Sequence, residues 1–423
     1  MATQQFKKLD KAPSFRWYAL LMNALAYGYF FMTVNILNAM TDEVQQAFGV
    51  SATELTFLTT AVMIAFAVVP TFGAHIAAKI GGRNIVALSI FYNVVVTLLF
   101  LIPAVSQDYL AVLVLRFLHG ATGGLMTGTV VGGTPLWFPV KERGIASGLN
   151  LGILGVGFSI DTFFAPRLMG AGLDWSATLV VILVVPGVLL GAVYFFTMKD
   201  IKKLYGVDAV ADALDEEQDL AGAADSKLHL PVTMGEAYRD KVFWATGFYG
   251  FVNGWVVYGF TAFLPSMLTN DMGISGIAAT NIISATYFVT FVASPLGGII
   301  SDKVFKGKRY QLLSLGCLLT VVTLLLIPRC GTSTTLLTVF FILAYGSTSI
   351  VCGTFWTLPS EIVKPDIAVK SSASVMTLAN IGGVIASPIL VAVTQATGSN
   401  MMSSYICIIL ALLAGIMALM IKR

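Results

Sequence analysis

Residues 176–198 read SATLVVILVVPGVLLGAVYFFTM, a stretch without one charged side chain. A hydrocarbon core about 30 Å thick is crossed by roughly 20 apolar residues wound into a helix. Lipid offers no partner to backbone N–H and C=O groups, so an apolar run of this length is predicted to be a helix and not a strand or a loop. The same ruler, moved outward, finds companions near 17–40, 55–78, 84–104, 109–136 and 144–166 on one side, and near 242–268, 276–300, 310–328, 335–357, 371–395 and 401–421 on the other. The expectation is an all-α integral membrane protein with twelve transmembrane helices in two pseudo-symmetric six-helix bundles.

Composition excludes a soluble protein. Charged residues make up 11% of the chain and apolar residues 57%, with a mean hydropathy of +0.84, whereas ordinary soluble domains carry about 25% charge. The apolar run after Lys7, Lys8, Lys11 and Arg16 is long enough to span, and no small-residue cleavage site follows it. It reads as a first membrane helix and not as a cleaved signal. Cys317, Cys330, Cys352 and Cys407 lack C-x-x-C spacing, so neither a disulfide framework nor a metal site is indicated. No cofactor and no nucleic-acid partner is expected, and the chain is expected to work as a monomer in the bilayer.

Lys and Arg crowd alternate loops: the N-terminus, Lys79 with Arg83, Lys141 with Arg143, Lys303 to Arg309, Lys364 with Lys370, and Lys422 with Arg423. The loop after the first span carries Asp42, Glu43 and Glu54 and no base. The positive-inside rule therefore predicts a plasma (inner) membrane protein with both termini in the cytoplasm. The polar segment 199–241, with its acidic run from Asp215 to Asp219, reads as a partly disordered cytoplasmic linker between halves 1–198 and 242–423. Thr233-Met-Gly-Glu236 fits a capping box near its end.

The halves repeat at a shift of roughly 226 residues. Tyr27-Gly28-Tyr29 matches Asn253-Gly254-Trp255. Pro70 and Gly73 match Pro295 and Gly298, and Arg143 to Ser147 matches Lys370 to Ser374. Duplicated halves suit alternating access, in which one bundle rocks against the other about a site near the midplane.

After the eighth span the chain reads Gly298-Ile-Ile-Ser-Asp302-Lys303-Val-Phe-Lys-Gly307-Lys308-Arg309. This resembles the signature loop of the major facilitator superfamily. The resemblance implies that Gly298, Asp302, Lys303, Gly307 and Arg309 help to hold the cytoplasmic gate shut; the alternative is a turn carrying topogenic charges. The N-terminal copy, Gly73 to Arg83, keeps its glycines and bases but has Ala77 where the acid would stand. Leu115-Arg116-Phe117-Leu118-His119-Gly120 and Trp137-Phe138-Pro139-Val-Lys141-Glu142-Arg143 are similar to the anion–cation symporter branch of that family. That branch implies a small organic anion of carboxylate type as substrate, moved by symport or antiport with protons or another coupling ion. The chain departs from it by lacking an acid–arginine pair near Thr33-Val34, and by having Gly123 where a glutamate often stands.

Arg116 and Asp161 are the charges inside the spans, at matching depth in neighbouring antiparallel helices. Arg116 has three open roles: snorkelling to headgroups, a structural pair with Asp161, or contact with a substrate anion. In the last case the substrate's carboxylate displaces Asp161 from the guanidinium fork, and Asp161 takes up the coupling proton. His119 is a further coupling residue to weigh. The resemblance places the first, fourth, seventh and tenth spans around the cavity, where Tyr27, Asn35, Asn253, Trp255 and Tyr258 supply phenol and amide donors beside rings. Gly120, Gly124, Gly128 and Gly132, with Gly144, Gly148 and Gly152, read as close-packing ladders. A drug or metabolite exporter is the alternative transporter. Against it stand the absence of an acid in the first span and of a proline-ended glycine signature at Gly152-Ile-Leu-Gly155-Val-Gly157. An enzyme would need clustered His, Asp or Cys at the membrane, and a receptor of this fold usually adds a soluble tail.

Overall fold

The computed structural model describes residues 9–139, 142–207, 209–210, 214, 230–274, 276–305 and 308–421. Twelve helices run back and forth: α1 Phe15–Asn35, α2 Ala52–Val68 continued by Pro70–Ile80, α3 Gly82–Leu98, α4 Tyr109–Thr127, α5 Arg143–Gly170 and α6 Trp175–Thr197; then α7 Lys241–Ser266, α8 Gly276–Lys303, α9 Arg309–Leu326, α10 Thr334–Phe355, α11 Pro365–Thr397 and α12 Asn400–Ala418. Among the described residues nine helices are by themselves long and apolar enough to cross a bilayer. α1 and α7 join them when taken with their bent continuations. α2 is the exception, because Pro70 starts a new helix where the sequence suggests one unbroken span. The start of α1 and the end of α12 lie on one side, here called the terminal face.

Short polar side chains start these helices by accepting the N–H groups that a first turn leaves free. Ser51 and Glu54 form a capping box at α2. Asp108 accepts from Leu110 and Ala111 at α4, Asp174 from Ala177 at α6, Asp240 from Val242 at α7, and Ser399 from Met401 at α12. Between α2 and α3, Gly81 adopts φ +90°, which a residue with a Cβ rarely takes. Thr233 opens the short helix Met234–Ala237, as its capping pattern suggests. The acidic run Asp215–Asp219 lies outside the described residues.

The internal repeat has a physical counterpart. Gly28 of α1 packs against Ile153 and Gly157 of α5, while Gly254 of α7 packs against Ala379 and Gly383 of α11. All three positions are displaced by the same shift of roughly 226 residues. A small residue is required at Gly28 and Gly157, and at Gly254 and Gly383, because the helices close to backbone contact there. Across the halves α5 lies along α8. Gly148 abuts Pro295, Gly152 abuts Phe291 and Gly155 abuts the Tyr287 carbonyl. The ladder is divided: in α4 Gly120 meets Val62 of α2 and Gly124 meets Val69 at the break in α2, whereas Gly128 and Gly132, in the turn that follows α4, face open space.

At the face opposite the termini the halves are tied. Thr53 Oγ1 donates to Gln395 Oε1 at 2.7 Å, and Arg167 Nη2 donates to Asn281 Oδ1 at 2.7 Å. One turn deeper Ser159 donates to the Ser284 carbonyl at 2.6 Å. The described hydrogen bonds at the terminal face each stay within one half. Arg16 pairs with Glu142 at 3.1 Å and Arg309 with Glu361 at 2.6 Å.

Candidate functional site

α1 ends at Asn35, and the chain turns away by 43° into Asn38–Phe48. The last carbonyls of a helix have no partner of their own and carry partial negative charge. Arg116 of α4 supplies it. Nη1 donates to the Thr33 carbonyl at 2.5 Å, Nη2 to the Val34 carbonyl at 2.8 Å and Nε to the Leu58 carbonyl of α2 at 3.4 Å. The guanidinium is fully buried, so it does not snorkel to a surface. A fork of N–H groups suits this task, because it satisfies two successive carbonyls of one broken helix while holding a neighbouring one.

Asp161 of α5 is also fully buried. It is within electrostatic reach of Arg116, but the two form no hydrogen-bonded ion pair, and neither carboxyl oxygen accepts a hydrogen bond of ordinary geometry from a described residue. The Asn35 amide beside it is directed to the Phe158 carbonyl and to Thr162 Oγ1, each at 3.4 Å. Arg116, Asp161 and Asn35 are thus brought together at the break in α1. His119 stands behind this group, within electrostatic reach of Arg116 but bonded elsewhere. Its Nε2 lies 3.1 Å from Thr97 Oγ1, and its ring stacks on Phe100 at 5.4 Å. It belongs to a polar chain inside the first half in which Asn93 donates to Thr33 Oγ1 at 2.9 Å.

A second constellation lies where the halves meet. Tyr27 of α1 lies within electrostatic range of Tyr258 of α7 and Cys352 of α10, as does Tyr345 of α10, whose ring also meets Tyr287 of α8. Rings connect this group to the first: Tyr27 to Phe31 at 4.8 Å, Phe31 to Phe158 at 5.8 Å, Phe158 to Tyr287 at 5.4 Å and Tyr287 to Tyr345 at 5.4 Å. Phe158 serves both groups, since its carbonyl receives Asn35 while its ring meets Tyr287. Tyr287 and Tyr345 escape the sequence reading. The signal available was tyrosine recurring in α8 and α10 at mid-span.

Asn253 and Trp255, the counterparts of Tyr27 and Tyr29, turn elsewhere. Trp255 sits beside Cys407 of α12, and Asn253 faces α9 and α10 inside the second half. Of the gate residues, the Asp302 side chain and Gly307 lie outside the described residues. Gly298 has open space around it, Lys303 is exposed, and Arg309 bonds Glu361 and the Thr354 carbonyl at 3.3 Å in its own half. Glu361 repeats Glu142: each follows a Trp-containing turn, at Trp356 and Trp137, and each holds an arginine. At the turn that lacks an acid of its own, Asp200 fills in from beyond α6, accepting the Arg83 N–H at 3.2 Å.

Twelve helices in a repeated pair of bundles, enclosing buried polar groups where the bundles meet, define a membrane transporter. Residues 21–387 match the family model described as Major Facilitator Superfamily, and the chain belongs to that family. A probable sulfoacetate transporter of Cupriavidus necator is 22% identical over 71% of this chain and 69% of its own length. The hexuronate transporter of Bacillus subtilis is 20% identical over 84% and 82%. Among solved structures, a bacterial homologue of the human lysosomal transporter Spinster, inward-facing and unoccupied, superposes with a TM-score of 0.71 at 16% identity, covering 98% of both chains. Family and fold place the protein among multi-pass membrane transporters and not among enzymes.

Proposed function

We propose that the protein carries a small organic anion of carboxylate type across the membrane by alternating access, coupled to protons through Asp161. One observation carries the reading: a fully buried carboxyl that accepts no hydrogen bond of ordinary geometry from a described residue stands beside an arginine at a helix break. Ionisable groups inside membrane helices are costly and mark ion or proton pathways. The substrate body is assigned to the neighbouring ring-walled group, where Tyr27 and Tyr258 supply phenols and Phe31 and Phe158 supply apolar faces. Sulfoacetate and hexuronate, named for two relatives, are small organic anions and support the class. Segments 1–198 and 242–423 are taken as the two rocking bodies, joined by the linker 199–241.

Uptake into proteoliposomes tests this. Labelled sulfoacetate, a hexuronate, a short monocarboxylate and nitrate are offered with and without an inward pH gradient. At least one organic anion is expected to accumulate only with the gradient. Folded, reconstituted protein that accumulates none of them would end the proposal.

The orientation follows from the basic terminal face. We place both termini in the cytoplasm of a cell whose plasma membrane holds the protein, so the tied face looks outward. A single cysteine at Ser51, in a chain stripped of its own, is expected to react with an impermeant maleimide on intact cells, and one at Lys303 is not. The reverse pattern would invert the orientation.

A further inference from the structure

Inside the second half lies a cavity of about 20 Å³ lined by Tyr249, Asn253, Cys317, Thr320 and Thr348 together with apolar side chains of α7, α10 and α12. A water molecule needs roughly 10–15 Å³ and two to four polar partners, so the space admits one small molecule and no substrate. Asn253 lines it from mid-span, 93% buried by its exposure of 7%, and its side chain makes no hydrogen bond among the described residues. Buried amides are rarely left so.

The neighbouring hydroxyls explain why Asn253 is not satisfied directly. Thr320 and Thr348 spend their protons within their own cluster: their oxygens lie 3.1 Å apart, Thr320 also reaches the Gly316 carbonyl at 3.0 Å and Ser347 Oγ at 2.8 Å, and Thr348 the Ala344 carbonyl at 3.2 Å. What they offer the cavity is lone pairs. The Asn253 amide offers N–H groups and a carbonyl oxygen of its own. A group that links them must accept from an amide N–H and donate to hydroxyl oxygens. An alkali cation accepts nothing, and it would enter a pocket whose lining has no carboxylate to offset its desolvation. An anion donates nothing. The first half shows the contrast. There the corresponding helices are joined directly, with Tyr29 donating to Asn93 at 3.4 Å and Asn93 donating to Thr33 at 2.9 Å. In the second half the direct tie from α7 to α9 is the 3.8 Å contact of the Cys317 thiol with the Tyr249 hydroxyl.

We propose that the cavity among Asn253, Thr320 and Thr348 is a binding site for one ordered water molecule, which completes the polar link from α7 to α9 and α10. The link stays within the second half and moves with it.

Thermal unfolding of purified protein tests this through a double-mutant cycle. Asn253 and Thr348 share no direct bond, so a bridging molecule must show itself as coupling between them, and full independence excludes it. Asn253→Leu and Thr348→Val are each expected to lower the melting temperature by about 2–4 °C. The double variant is expected to fall no further than the worse single one. Strictly additive shifts would overturn the proposal. Should Asn253→Leu fail to accumulate, Asn253→Ser enters the cycle in its place with the same two outcomes. Replacing potassium by sodium or choline at constant ionic strength is expected to leave the wild-type value unchanged. A sodium-specific rise that disappears in the Asn253 variant would make the occupant a cation and overturn the water assignment.

Discussion

Replacing Arg116 by alanine is expected to cost the folded protein about 3–5 kcal/mol, the range seen when one partner of a buried charge constellation is removed. The sequence alone presents this residue as a free anion contact whose loss spares folding. The structure gives it a second duty, because three of its N–H groups already hold carbonyls of α1 and α2. Hydrogen bonds between neutral side chains in membrane bundles average only about 0.6 kcal/mol. Bonds to a charged donor are worth more, about 1.5–3 kcal/mol, so the charge decides the size of the effect. Arg116→Lys keeps the charge but not the fork, and should lose less than half as much. Thermal unfolding in detergent, beside anion binding at a temperature where both variants remain folded, separates the two duties. An Arg116→Ala variant as stable as wild type would refute the capping role. Wild-type affinity in that variant would remove Arg116 from the substrate site.

Asp161→Asn is expected to do the opposite, leaving folding intact and uncoupling transport. Arg116 keeps its three carbonyl acceptors when its neighbour loses the charge, and an amide of the same shape removes a charge that is costly in the hydrocarbon region. Exchange of anion across the membrane should persist. Accumulation driven by a gradient of one pH unit, about tenfold for a one-to-one coupled carrier because 1.4 kcal/mol is a factor of ten, should fall to none. Gradient-driven accumulation that survives in Asp161→Asn would assign the proton elsewhere. His119 would then be the next residue to replace, although its ring is committed to Thr97 and Phe100.

Much of the fold is legible in the chain because span length and loop charge are one-dimensional signals. The run 176–198 becomes α6, and the glycines at 28 and 254 meet their partners at one common shift. The misses have physical causes. The break at Pro70 hides in an apolar run that continues on both sides. α11 begins at Pro365 instead of near 371 because its first turns carry polar residues that hydropathy discards. The site is harder to read. Arg116 chooses backbone carbonyls, which have no signature in a sequence, and Asn253 stands at the repeat position of Tyr27 yet points into its own bundle. Polarity at mid-span marks importance, but the helix rotation that decides what it touches is set by packing.

The seam between α5 and α8, where Gly148, Gly152 and Gly155 meet Pro295, Phe291 and Tyr287, bears on how such a molecule moves at all. Side chains that interlock make a ratchet, and each step past a neighbour must lift one knob over another. A track of glycines has no knobs on its own side. It behaves as a journal bearing, in which one smooth surface turns against another with little friction. What holds the two surfaces in one setting is then the few polar ties across them, Ser159 to Ser284 on the seam itself and Thr53 to Gln395 and Arg167 to Asn281 at one end of it.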